Sequence, residues 1–174
     1  MAEGPEQTAA DAVMTRIGQV VILQHAGDRE EARHRFLALW AEIGEHGDPL
    51  HRCTLAHYLA DAQDDPADEL AWDLRALTAA EELTDERLAE HEGALAVRAL
   101  YPSLHLNLAA DYLKLGHGGA ARTHLRRART AAATLADDGY GNGVRAAITR
   151  LELRLTHQDT AGETGSWGPP RQRP

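Results

Sequence analysis

One stretch limits the possible folds of this chain more than any other. It runs from Pro102 to Ala133 and holds two helical patterns separated by a glycine-centred turn. In the first pattern Leu108, Tyr112 and Leu115 recur at spacings of four and three, which places them on one helix face. In the second, Ala121, Leu125, Ala128, Ala132 and Leu135 do the same. Gly116-His117-Gly118-Gly119 supplies the backbone freedom needed to stop one helix and start the next. So short a connection permits only antiparallel neighbours, so the stretch is an αα-hairpin.

The hairpin's pattern, Leu108-Ala109, Tyr112, Gly116, Ala121, Leu125 and Ala128, resembles a tetratricopeptide (TPR) repeat, a 34-residue helix–turn–helix unit. Ala109, Ala121 and Ala128 are small where two helices approach, and Leu108, Tyr112 and Leu125 fill the surrounding space. His105 and Ala133 depart from the pattern, since the family often has a bulky apolar residue and a proline there. A hairpin of this kind cannot bury both its faces alone, so the resemblance implies further hairpins on either side.

The rest of the chain supplies them. Ala10, Val13, Ile17, Val20 and Gln24 form one face of a helix from about Glu6 to His25. Gly27 ends it, and Asp28 is an N-cap candidate for a helix from Arg29 to about His46. Gly27, Ala32 and Phe36 keep the spacing of Gly116, Ala121 and Leu125. After the breaker Gly47-Asp48-Pro49, a third helix repeats the Leu-Ala pair as Leu55-Ala56. Its partner opens at Asp65-Pro66, with Leu70, Ala71, Leu74 and Leu77 as the expected core face, and ends near Leu83. A further helical stretch starts at Thr84-Asp85-Glu86, with a kink or break expected at Pro102. Asp137 to Gly143 reads as a turn cluster. A final helix turns Val144, Ile148, Leu151 and Leu155 inward, and Arg145, Arg150, Glu152 and Arg154 make the polar outer face of a cap.

The expected fold is therefore all-α: a right-handed superhelical array of antiparallel helix hairpins, a TPR-like α-solenoid of about three hairpins and a C-terminal capping helix. The repeat domain spans 6–157. Residues 158–174, rich in Gly and Pro and without periodicity, read as a disordered tail.

Composition narrows the function. A formal net charge of −9 argues against nonspecific attraction to nucleic acid or to anionic membranes. No apolar run approaches the roughly 20 residues that cross a bilayer. One cysteine excludes an internal disulfide and, with no signal peptide legible, fits a cytoplasmic protein. No GxSxG, Walker-type loop, HExxH or CxxC pattern occurs, so the expectation is a non-enzyme without cofactors.

His51, Cys53 and His57 are the tightest group of potential metal ligands, with Cys53 and His57 one helical turn apart. They are weak candidates, because a structural zinc site needs paired ligand spacings that are absent here. The resemblance implies another use for the same helix. TPR arrays bind an extended peptide or a helix in a concave groove lined by the first helix of each hairpin. The matching positions are Ile17, Val21 and Gln24, then Cys53, His57 and Asp61, then Leu106, Asn107, Ala110 and Lys114. Asn107 and Lys114 alone fit a carboxylate clamp. The acidic surroundings of Asp61 point to a basic or neutral partner. The expected function is a protein- or peptide-binding module. The alternatives are a small-molecule- or metal-responsive regulatory domain and a structural homo-oligomer.

Overall fold

A computed structural model describes residues 5–83 and 92–164, with side chains described for 12–83 and 99–160. Seven α-helices follow one another: α1 Pro5–His25, α2 Arg29–Ile43, α3 Pro49–Asp61, α4 Pro66–Leu83, α5 Glu92–Lys114, α6 Gly118–Ala132 and α7 Gly139–Thr164. No strand occurs among the described residues.

The helix ends follow from local chemistry. Gly116 adopts φ +79° and Gly27 φ +103°, in the left-handed region where a side chain would be strained. At each, the next residue's N–H reaches back to close the helix: His117 to the Tyr112 carbonyl at 2.7 Å and Asp28 to that of Leu23 at 3.3 Å. The α3–α4 turn lacks glycine and is held by side chains instead. Asp65 accepts from Ala67 N–H at 2.8 Å and Asp68 N–H at 3.3 Å, while Asp48 accepts from Leu50 and His51 at the start of α3. Asp28 makes no side-chain cap, contrary to its sequence appearance; only its carbonyl serves α2.

Each consecutive pair of helices packs together. The odd-numbered helices also touch in succession, α1 with α3, α3 with α5 and α5 with α7, whereas no two even-numbered helices touch among the described residues. The odd helices thus make one layer, termed inner, and the even ones a second, termed outer. Three apolar clusters repeat this logic, each joining a hairpin to the first helix of the next element. Ile17, Phe36, Leu39, Leu55 and Leu59 unite α1, α2 and α3. Cys53, Ala56, Ala76, Ala80 and Leu104 unite α3, α4 and α5. Leu113, Leu125, Ala128, Ile148 and Leu151 unite α5, α6 and α7. Removing such side chains from water supplies the main force that orders the array. Alanine dominates the second cluster, where α3 and α4 lie close.

Four expectations need correction. α5 stays helical through Pro102 with no break there. The Tyr140 hydroxyl donates to the Ala99 carbonyl at 3.1 Å and lies 2.7 Å from Ser103 Oγ, so α7 contacts α5 within one turn of the proline. The expected helix start at Thr84-Asp85-Glu86 lies outside the described residues. α7 begins at Gly139, inside the expected turn cluster, because Asp138 accepts from Gly141 N–H at 2.8 Å and caps it. α7 also continues past Gln158 to Thr164, and Arg122 of α6 ion-pairs with Asp159 there. Finally, the α4 core face keeps the expected Leu77, which is buried, but departs from the expected stripe elsewhere: Leu74 is exposed, whereas Asp73, Ala76, Ala80 and Leu83 are buried. An aspartate occupies a core position that an apolar pattern cannot announce.

His105, the departure from the repeat pattern, is buried with its Nδ1 3.0 Å from Nδ1 of His124. Burial, reinforced by His124 and the Arg127 charge, pushes its pKa down to about 4. The neutral ring fills the place of an apolar side chain.

Candidate functional site

Three helices bring a polar cluster together in the middle of the chain. α3 contributes His57 and Asp61, α4 contributes Glu69 and Asp73, and α5 contributes Asn107, Asp111 and Lys114. Within each helix these residues are three or four apart and share a face. Asp73 and Asp111, each 1% exposed, form the floor of the cluster. His57, Asp61, Glu69 and Lys114 surround them at greater exposure.

The contacts interlock. Lys114 Nζ donates to Glu69 Oε1 at 2.7 Å and Oε2 at 2.6 Å, and lies 3.7 Å from Asp111 Oδ1. His57 Nδ1 lies 3.9 Å from Asp73 Oδ1 and 3.3 Å from Asn107 Nδ2. Asp73 Oδ1 and Asp111 Oδ2 are buried without a hydrogen-bond partner.

These surroundings set the charges. Burial, then the charge of Asp73 and a hydrogen bond with it, then Glu69, raise Asp111 to about 8, against the opposing pull of Lys114. The raised value favours the protonated form of Asp111 beside Asp73. Burial also raises Asp61, with Asp73 and Glu69 acting in the same sense and His57 and Lys114 against it. For His57 burial works against the charged ring, but the Asp73 hydrogen bond and the Asp61 and Asp73 charges prevail, so its pKa is raised. Lys114 is raised too: burial opposes its charge, and Glu69 and Asp111 outweigh that.

Beyond Asn107, the surface continues into an open groove of about 590 Å³ between α5 and α7. Leu106, Asn107 and Ala110 of α5 and Ala147, Arg150, Leu151, Leu153 and Arg154 of α7 line it. This corrects the reading of Arg150 and Arg154 as the outer face of a cap. Because α7 touches α5 as α5 touches α3, it belongs to the inner layer and turns those arginines towards the shared surface.

The sequence-based candidates are therefore sorted by burial. His57, Asp61, Asn107 and Lys114 come together in the cluster, and Leu106 and Ala110 line the α5–α7 groove. Ile17 and Cys53, 1% and 0% exposed, belong to the apolar cores and not to a groove. Val21 packs partly against the first core, and Gln24 buries an unpartnered Oε1 beside α1's own turn. Burial, with a smaller contribution from Asp73, raises Cys53 to about 12, so its sulfur stays a thiol and is a poor metal ligand. Among the described residues no three or more His, Cys, Asp or Glu side chains are arranged to hold a metal ion, so His51, Cys53 and His57 do not converge on one. No described helix is long and apolar enough to cross a membrane.

Glu69, Asp73 and Asp111 were absent from the sequence-based candidates. A signal existed, because Asp111 lies four residues after Asn107 and three before Lys114, on the same stripe. Glu69 and Asp73 share the four-residue spacing of His57 and Asp61. No protein-family model, no curated protein and no solved structure matches the chain.

Proposed function

We propose that this protein is an interaction module without catalytic activity, a TPR-like superhelical array that binds a protein or peptide segment along its inner layer. The observation that carries this reading is the continuous surface across α3, α5 and α7. Asn107 sits at its centre, touching His57 on one side and lining the α5–α7 groove on the other. Polar groups with unused hydrogen-bonding capacity stand there beside partly exposed apolar side chains, a combination suited to peptide recognition. The buried, protonated state of Cys53 weighs against the metal-responsive alternative.

The test is comparative capture from the native host. Proteins retained by the wild-type chain should be lost with Asn107→Ala and with His57→Ala, and retained by Arg35→Ala. Arg35 is an exposed residue of outer-layer α2, ion-paired among the described residues only to Glu31 of its own helix. Partners that survive both inner-layer changes and depend on the outer layer would refute the assignment.

A further inference from the structure

We infer that the groove between α5 and α7 takes an acidic amphipathic helix, whose apolar face covers Leu106, Ala110 and Leu153 and whose carboxylates, one turn apart, meet Arg150 and Arg154. This deepens the interaction-module reading and rests on it.

Charge complementarity carries the choice of partner. The chain has a formal net charge of −9, so carboxylates are plentiful, and three other arginines along α6 and α7 use them, while Arg126 and Arg127 of α6, with no ion pair among the described residues, border a different surface. Arg122 pairs with Asp159, Arg129 with Glu152 and Arg145 with Asp137. Arg150 and Arg154 pair with no carboxylate among the described residues, although Glu152 lies between them in sequence. Glu152 is turned to the opposite side, where it serves α6. The two free guanidiniums sit four residues apart, about 6 Å along the helix axis. A partner helix offers carboxylates at the same interval at positions i and i+4.

The apolar lining selects an amphipathic partner over a simple anion. Leu153 is 57% exposed beside the arginines, and the partly exposed Leu106 and Ala110 continue the apolar lining on α5. An inorganic anion would leave that lining wet, whereas a helix with a leucine stripe covers it. The neighbouring cluster sets the register. Asp61, Glu69 and Asp73 lie on the far side of Asn107, and their charge repels an acidic segment that slides towards α3. The partner is thereby held at the α5–α7 end.

The probe is a fluorescently labelled, end-capped synthetic helix with a leucine stripe flanked by glutamates spaced i, i+4; its counterpart carries lysines in their place. Binding is followed by fluorescence anisotropy, with circular dichroism as a control for folding. The acidic helix should bind the wild-type chain, and added salt should weaken it. The Arg150→Gln, Arg154→Gln double variant should weaken it by about tenfold or more, the loss of two charge-assisted contacts. Leu153→Ser should weaken it through the apolar lining alone. Equal binding by wild type and the arginine double variant would overturn the proposal, as would preference for the lysine helix. No binding of the acidic helix also overturns it. If captured partners still require Asn107 in that case, the interaction module stands and only the acidic partner falls. If they do not, both fall.

Discussion

The amide nitrogen of Asn107 lies 3.3 Å from Nδ1 of His57, a residue fifty positions earlier in the chain. The contact ties α5 to α3 at the point where a negatively charged cluster gives way to a groove bordered by arginines. In the neutral tautomer whose proton is on Nε2, Asn107 donates to Nδ1. When His57 is protonated, the same Nδ1–H faces Asp73 Oδ1 at 3.9 Å. One side chain on the central helix thus adjoins both electrostatic environments of the inner layer, which makes it the most informative single position to change.

Asp111 should govern how stability varies with pH. Its folded pKa, raised to about 8, stands above the ordinary carboxylate value of about 3.9. Between those values the folded protein holds a proton that the unfolded chain has released, so stability falls as pH rises and the loss is complete above about 8. The raised pKa of His57 acts in the same direction, with its contribution present below about 6.5 and lost as pH rises through the folded value. Thermal melting of the wild type should therefore fall between slightly acid and alkaline pH. Asp111→Asn, which keeps the shape and a donor for Asp73, should flatten that fall. An unchanged slope in the variant would remove Asp111 as its source.

Overpacking tests the helix faces. Ala109 and Ala121 are 0% exposed, at the α5–α6 contact. Leucine at either should cost about 1–3 kcal/mol. Ala110→Leu, on the groove side, should cost clearly less, because the added atoms point into open space. Equal shifts in melting temperature for the three variants would contradict the packing described here.

Cys53 offers a readout of global unfolding. Fully buried and held as a thiol, it should resist alkylating reagents in the native protein at neutral pH. Labelling should become fast only in denaturant, with a midpoint that matches loss of helical signal by circular dichroism. Rapid labelling of the native protein would place Cys53 elsewhere than in the α3–α4–α5 core.

The two aspartates that precede helices should differ in their effect. Asp65→Ala removes a side-chain cap with two N–H partners and should cost about 1 kcal/mol. Asp28→Ala removes no side-chain cap and should cost much less, although both residues look alike in sequence. Chemical denaturation of the two variants gives the comparison directly.

How much of this was legible beforehand can be judged from single residues. The helix-period stripes of α6 and α7 needed only spacing: Ala121, Leu125, Ala128, Val144, Ile148, Leu151 and Leu155 are all buried as expected. Gly27 and Gly116 marked two hairpin turns because few other residues tolerate their φ. In α4 the same reasoning placed Leu77 correctly but took Leu74 as inward and did not name Asp73, which is buried. Burial of a carboxyl becomes possible only when a second carboxyl and a proton answer it, and Asp111 lies on another helix. The candidate site was half legible for that reason: His57, Asp61, Asn107 and Lys114 stood out, and Asp73 and Asp111 did not.

By itself the sequence determined the helical content, the order of the helices and most of the apolar faces, because periodicity, capping and glycine geometry act over a few residues. Tertiary structure alone decided that α5 runs unbroken through Pro102, with a Tyr140 hydroxyl from α7 bonded to the Ala99 carbonyl nearby. It also decided that Arg150 and Arg154 face the inner layer, through the contact of α7 with α5. Local sequence sets which side of a helix is apolar, but only the packing of distant helices sets what its polar side looks upon.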